Sequence, residues 1–352
     1  MRDIIAVDVV DAKFHRNQLF DSSVAARYPG TSAMTVFLKL GATAGFQVIT
    51  ADMVDELGID ACRVMVVASD RMKWSQPLAQ RGALLTALTC FETPSFAWHF
   101  YHNLGKISAQ FRHVFLFPGA ARRVKDSPTH FHPTLFPQPY RQIQAVGWQG
   151  WTERKFAAMV HGNQVRRVIK PAHIVAALTD PDLRIELYSE RRRAIRYFHH
   201  HEGFHLYGGG WDKWRLGVSH GDYKAALRCW QGRCEDKIET LSAYRFSICY
   251  DNTIFPGYIT EKIFDCFYAG CVPVYLGAPD ISDYIPRECF IDRQRFGTYQ
   301  ELDKFLAQLG PTEFDAYQRA IENFLQSTAF DPFYQDHFAR SLLAAVQECA
   351  TL

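Results

Sequence analysis

The 352-residue sequence has no Cys-x-x-Cys pair, no apolar run near the roughly 20 residues needed to cross a bilayer, no internal repeat and no low-complexity tract. Its nine cysteines are odd in number and scattered, which excludes a zinc ribbon or a redox dithiol. Cys249, Cys266, Cys271 and Cys289 stand among apolar neighbours, where a free thiol behaves as a small buried hydrophobe, and a reducing cytosol fits that usage. The opening MRDIIAVDVVDAKFHRNQLF holds too short an apolar run for a signal peptide and is broken by Asp8 and Asp11. The expectation is a cytoplasmic chain, at most peripheral at the inner face of a membrane. An excess of one charge is missing too: 39 Lys+Arg against 37 Asp+Glu leaves +2, so no whole-molecule field argues for nucleic acid.

What is present is a globular composition, 48% hydrophobic and 22% charged, long enough for two domains. The short runs IIAVDVV, FQVIT, CRVMVVAS, LLTALTCFE and RHVFLFPG alternate with mixed segments, as in a mostly parallel α/β sheet. SPTHFHPTLFPQPY, with its four prolines, reads as an extended connector, and a boundary is placed at Gln142 to Thr152. The rhythm then restarts with KFAAMVHGN, FHLYGGGW, YRFSICYDN and VPVYLG. Two α/β domains, 1–148 and 149–330, facing across a cleft, followed by a C-terminal helix over 331–352 packing back on them, is the expected architecture.

One segment carries chemistry. YRFSICY reads as a buried strand, and Asp251, Asn252, Pro256 and Gly257 in DNTIFPGY are turn formers. Thr260 suits an N-cap, Ile263, Phe264, Phe267 and Tyr268 recur at helical spacing, Gly270 ends the helix and CVPVYLG follows as a strand. Lys262 therefore stands at the positive end of a helix dipole, an unfavourable place for a cation unless an anion binds there. In open α/β sheets ligands bind at this carboxyl edge. Asn252, Tyr258 and Glu261 supply an amide, an aromatic face and a carboxylate, the groups that hold a nucleobase and a ribose diol beside a diphosphate.

The stretch from Tyr244 to Asp292, YRFSICYDNTIFPGYITEKIFDCFYAGCVPVYLGAPDISDYIPRECFID, resembles the donor-binding signature of glycosyltransferase family 10, the α-1,3/1,4-fucosyltransferases. ELYSERRRAIRYFHHHEGFHLYGGGW resembles the family's arginine helix and its Tyr-Gly turn. The resemblance implies a GT-B fold of two Rossmann-like domains, an N-terminal one for the acceptor and a C-terminal one for the donor. It implies inverting transfer of L-fucose from GDP-β-L-fucose to a hydroxyl of an oligosaccharide or glycolipid acceptor. That acceptor would be of GlcNAc or Glc type with an α-1,3 linkage, in surface-polysaccharide or lipopolysaccharide synthesis, with side-chain cations in place of a metal. Carried over, Asn252, Tyr258, Glu261 and Lys262 hold GDP, with Glu261 on the ribose hydroxyls and Tyr258 on the nucleoside. By spacing to Tyr207 and Gly208, Arg193 is the favoured diphosphate ligand and Arg196 the next, while Arg191 and Arg192 read as a solvated helix face. Lys237, seven residues before Tyr244, falls at a family-like lysine.

Such a transfer needs a carboxylate to take the acceptor proton, and Glu92, just after the run LLTALTC, resembles the family's Glu-containing loop. The histidines of HFH at His130 and His132, and of HHH at His199 to His201, invite a metal reading, but no carboxylate or cysteine stands at ligand spacing beside them. The chain departs from the family pattern at Asp251, where Glu commonly precedes the Asn, and in a long stretch from Gln164 to Ile185 that would serve acceptor recognition. It also shows no transmembrane anchor and no heptad or basic tail. Two alternatives stay open: another nucleotide-sugar donor on the same fold, or a non-catalytic nucleotide- or carbohydrate-binding relative.

Overall fold

The structure, a computed structural model, describes residues 2–144, 150–165, 178 and 180–351. Residues 145–149 of the expected boundary, and 166–177 and 179 of the long stretch before Ile185, lie outside the described residues. The chain divides into two units, Met1–Pro139 with Pro256–Tyr258 and Asp331–Leu352, and Tyr140–Phe255 with Ile259–Phe330. Strands of the first are β1 (Ile4–Val7), β2 (Gln47–Thr50), β3 (Val64–Ala68), β4 (Leu84–Thr89), β5 (His113–Leu116) and β6 (His130–Pro133). Those of the second are β7 (Lys155–Val160), β8 (Phe204–Tyr207), β9 (Tyr244–Tyr250), β10 (Val272–Leu276) and β11 (Ile291–Asp292). The helices used below are α1 (Ser32–Thr43), α2 (Tyr188–Phe198), α3 (His220–Cys229), α4 (Lys237–Ser242), α5 (Glu261–Tyr268), α6 (Pro311–Gln326) and α7 (Gln335–Ala350). No helix among the described residues is long and apolar enough to cross a membrane.

In the first unit six parallel strands lie in the order β2-β1-β3-β4-β5-β6. Strands such as VMVVA in β3 are buried along their whole length, the pattern of a sheet covered on both faces. Phe338, Leu342 and Val346 recur on one face of α7 and join Phe37 of α1 over Ile5, Val67 and Phe115 of the sheet. Residues 331–352 thus complete the first unit's core. The proline-rich connector contains one more strand than its composition suggested. Pro133 ends β6 at the sheet's edge, where a missing N–H costs no ladder bond, and β6 pairs with β5 through His113↔His130 and Phe115↔His132.

That pairing brings three histidines together. His113 Nδ1 and His132 Nε2 are 3.0 Å apart, the His113 and His130 rings lie 5.4 Å apart, and Glu348 of α7 stands 3.7 Å from His113 Nε2. Glu348 is held in turn by Arg112 at 2.7 Å. Burial pushes His113 and His132 below the ordinary imidazole range, Glu348 opposing it and the neighbouring imidazoles reinforcing it. Among the described residues, no group of three or more His, Cys, Asp and Glu is arranged to hold a metal ion. The HHH segment lies past the end of α2, where His201 stacks on Phe156 with ring centroids 3.8 Å apart.

The second unit is a five-stranded parallel sheet, β11-β10-β9-β7-β8. Its core joins Ala157, Phe246, Val272 and Val274 of the strands to Phe198 of α2 and Phe314 of α6. Cys249, Cys266, Cys271 and Cys289 are buried free thiols.

Candidate anion pocket of the second unit

β9 occupies the centre of its sheet because YRFSICY is β-branched and aromatic, and it is buried almost throughout. At its carboxyl end the chain turns through Asp251 and Asn252 and re-enters a helix at Thr260, whose Oγ1 accepts from Lys262 N. α5 buries Ile263, Phe264 and Phe267 and leaves Glu261, Lys262 and Asp265 on the side facing a cavity of about 540 Å³. The other walls come from His161 and Gly162 after β7, Gly208 and Gly209 after β8, Arg191 of α2, Arg233 in the segment before α4 and Lys237 at the start of α4.

Gly208 is there for a steric reason. Its φ is +133°, and a Cβ on it would meet the His161 carbonyl oxygen at 2.2 Å, so only glycine lets the two loops pass.

The pocket is cationic on balance, with Arg191, Arg233, Lys237 and Lys262 against Glu261 and Asp265. Lys262 Nζ lies 3.1 Å from Thr260 Oγ1, 3.6 Å from Asp251 Oδ1 and 3.6 Å from Glu261 Oε1. Lys237 Nζ donates to Asp265 at 3.0 Å and stands 3.9 Å from Glu261. Burial works to raise the Glu261 carboxyl, and Lys262 and Lys237 outweigh it, so the group sits below its ordinary value and is ionised at neutral pH. Burial dominates at Asp265, pushing it up to about 6 despite Lys237. Burial draws the Lys237 ammonium down, and Asp265 and Glu261 draw it up by more.

Arg191 is a residue that the sequence reading set aside. Its place among four crowded arginines reads as a solvated helix face, yet it is 2% exposed. Its guanidinium donates to Tyr250 O at 2.5 Å, to Asn252 Oδ1 at 3.0 Å and to His161 Nε2. Burial first, then Arg191 and Lys262, hold His161 well below the usual imidazole range, so the ring is neutral and its Nε2 is free to accept. Arg193 and Arg196 go elsewhere. Arg193 is exposed and pairs with Glu190 at 2.9 Å, and Arg196 pairs with Asp222 of α3 at 2.5 Å; neither lines the pocket. The signal for Arg191 was the stripe Tyr188, Arg191, Ala194, Ile195 and Phe198, which is the buried face of α2.

Of the other expected residues, Asn252, Glu261, Lys262 and Lys237 line the cavity together. Tyr258 does not. It is buried within the first unit, its ring edge-on to Phe117 at 5.2 Å, because an apolar phenyl surface there covers more of the ring than a solvated pocket would. Glu92 is exposed in the turn after the carboxyl end of β4, where its carbonyl accepts from Tyr101 OH at 2.8 Å. His161, Arg233 and Asp265 were not anticipated.

Residues 184–326 match the model of glycosyltransferase family 10 (fucosyltransferase) C-term. An alpha-(1,4)-fucosyltransferase of Arabidopsis thaliana is 36% identical over 84 residues, 22% of this chain and 21% of that protein. The alpha-(1,3)-fucosyltransferase FucT of Helicobacter pylori is 31% identical over 114 residues, 31% of this chain and 23% of that protein. The matches therefore span less than a quarter of the length of these curated relatives. Among solved structures, Alr3699/HepE from Anabaena in complex with UDP-glucose superposes with a TM-score of 0.53 at 10% identity, covering 97% of this chain and 99% of that one. That likeness bears on the fold alone, and with the two parallel sheets the fold is GT-B.

Proposed function

We propose that this chain, whose residues 184–326 are a glycosyltransferase family 10 domain, is an inverting fucosyltransferase that uses GDP-β-L-fucose. The observation that carries the reading is the pocket at the amino terminus of α5, where Lys262, Arg191 and Lys237 converge beside Glu261. The free N–H groups of the helix and these cations suit a diphosphate, and an ionised Glu261 suits a ribose diol.

In the reaction an acceptor hydroxyl attacks the anomeric carbon, the bond to the diphosphate oxygen breaks, and GDP leaves with the electron pair. Lys262 and Arg191 neutralise the charge that grows on the departing phosphate, and their fixed positions make that effect larger in the transition state than in the ground state. The transition state has oxocarbenium character. Glu92 takes the acceptor proton. Side-chain cations replace a metal at the diphosphate. The acceptor is a glycan of GlcNAc or Glc type receiving an α-1,3 linkage, as an oligosaccharide or glycolipid made in the cytoplasm for surface polysaccharide or lipopolysaccharide.

A GDP-fucose transfer assay on an oligosaccharide array tests this, alongside thermal unfolding with GDP and with UDP. Stabilisation by GDP and fucose transfer to some glycan are expected. Stabilisation by UDP alone rejects the donor, and GDP binding without turnover on any acceptor rejects catalysis.

A further inference from the structure

Behind the pocket wall lies a group that the donor reading leaves unused. Asp251 is 1% exposed and does not line the cavity. Its Oδ1 accepts from Thr260 Oγ1 at 2.5 Å, its Oδ2 accepts from Tyr275 OH at 2.7 Å, and Lys262 Nζ stands 3.6 Å from Oδ1. Tyr275 is itself fixed, because its hydroxyl accepts from Ala278 N at 2.9 Å. The space is tight on that side: a Cβ on Gly277 would fall 2.3 Å from Tyr275 Oη and 2.6 Å from Asp251 Oδ2. A buried carboxylate is costly unless its oxygens are satisfied, and here each oxygen has its own hydroxyl.

We propose that Asp251 is a positioning residue: anchored from β10 by Tyr275 and tied to the helix cap through Thr260, it sets where the Lys262 ammonium stands in the pocket. This rests on the diphosphate reading of the pocket. Three contacts lead to one cation. Thr260 Oγ1 touches both Asp251 Oδ1 and Lys262 Nζ, so the hydroxyl and the carboxylate hold the lysine stem from adjoining directions. Without Tyr275 OH the carboxylate loses a neutral partner, turns more of its charge toward Lys262, and draws the ammonium back from an incoming anion. Tyr275 touches no part of the cavity, so its effect on an anion has to pass through Asp251 and Lys262. Gly277 is required at its place because any side chain would push Tyr275 and Asp251 out of register.

The test is a double-mutant cycle on the full chain, with inorganic pyrophosphate, GDP and UDP as probes in calorimetric titration. Tyr275→Phe removes one oxygen and keeps the ring; Gly277→Ala displaces the same pair by steric contact. Each is expected to weaken pyrophosphate binding by roughly 3- to 10-fold, within the reach of contact-level couplings. The readout that a merely structural role would not move is the same pair of changes in a Lys262→Met background, where the loss should vanish. Should either variant fail a thermal-unfolding check, the other carries the cycle. Equal losses with and without Lys262, or no loss in the folded single variants, overturn the proposal. Pyrophosphate binding with a preference for UDP sinks the fucose-donor reading and leaves the positioning role standing, whereas failure to bind any of the probes sinks both.

Discussion

Arg191 and Asn252 are 61 residues apart in the chain, and their side chains meet at 3.0 Å, guanidinium to amide oxygen. The contact fixes both ends of the pocket's deep wall: α2 supplies the cation, and the turn after β9 supplies the amide. A planar fork is needed, because the same guanidinium also reaches Tyr250 O and His161 Nε2. Arg191→Lys, which keeps the charge and loses the fork, should weaken GDP binding by at least about 10-fold. Arg193→Ala, on the exposed face beside Glu190, should change it by less than about 2-fold. Isothermal titration of both variants decides the matter, and the reverse ranking would restore the sequence-based choice.

Lys262 and Glu92 should separate binding from chemistry. On the proposed reading Lys262→Ala removes a contact to the diphosphate in both ground and transition states, so GDP affinity and turnover should fall together. Glu92→Gln keeps size and hydrogen bonding but cannot take a proton; GDP binding should persist while kcat falls by about 100-fold or more. Wild-type kcat in Glu92→Gln would reject that residue as the base.

Asp265 should leave a mark on stability against pH. Burial raises its folded-state value to about 6, above the 3.8 of an exposed aspartate. The folded state therefore binds the proton more tightly, so the contribution is fully present below about pH 4 and is lost as pH rises through 6. A shift of this size, in which the opposing pull of Lys237 is already included, corresponds to about 3 kcal/mol at most. Urea unfolding of Asp265→Asn between pH 4 and 7 should show a smaller decline than wild type over that window; an unchanged profile would remove Asp265 as its source.

The histidines of the first unit predict the opposite slope. His113 and His132 have folded-state values below their unfolded ones, because burial disfavours the charged ring. The unfolded chain takes up protons first as pH falls through the ordinary imidazole range, so this contribution is present above that range and is lost below it. His132→Gln should flatten the acid-side loss of stability, read as unfolding midpoints between pH 7 and 5. Its persistence in the variant would assign the loss elsewhere.

Much of the site could be read from residue order. The strand YRFSICY, the cap Thr260 and the apolar spacing of α5 are local properties, and they placed Lys262 and Glu261 correctly at a sheet edge. Arg191 is legible in the periodicity of α2, where it shares the buried stripe with Tyr188, Ala194, Ile195 and Phe198, whereas spacing to Tyr207 alone points to Arg193. Tyr258 misled for a different reason: an aromatic in a turn signals only that a ring is present, and its partner Phe117 is supplied by packing that no local pattern encodes. The meeting of His113 with His132 depends on the register of a parallel pair, and Asp265 gains its shift from burial in the assembled pocket, against the pull of a lysine on another helix. Neither can be counted out along the chain.

The first unit's core has a consequence for biosynthesis. Phe37 waits for Phe338, Leu342 and Val346, which leave the ribosome some three hundred residues later. Domains commonly fold as they emerge, amino end first. Here the earlier half of the polypeptide must stay incomplete, with an apolar sheet face uncovered, while the later half is made and folds on its own local and sequential pairings. The nascent chain is then most exposed to aggregation or to chaperone capture just before translation of α7. Synonymous changes that slow elongation across its codons should lower the soluble yield, although the finished protein is identical.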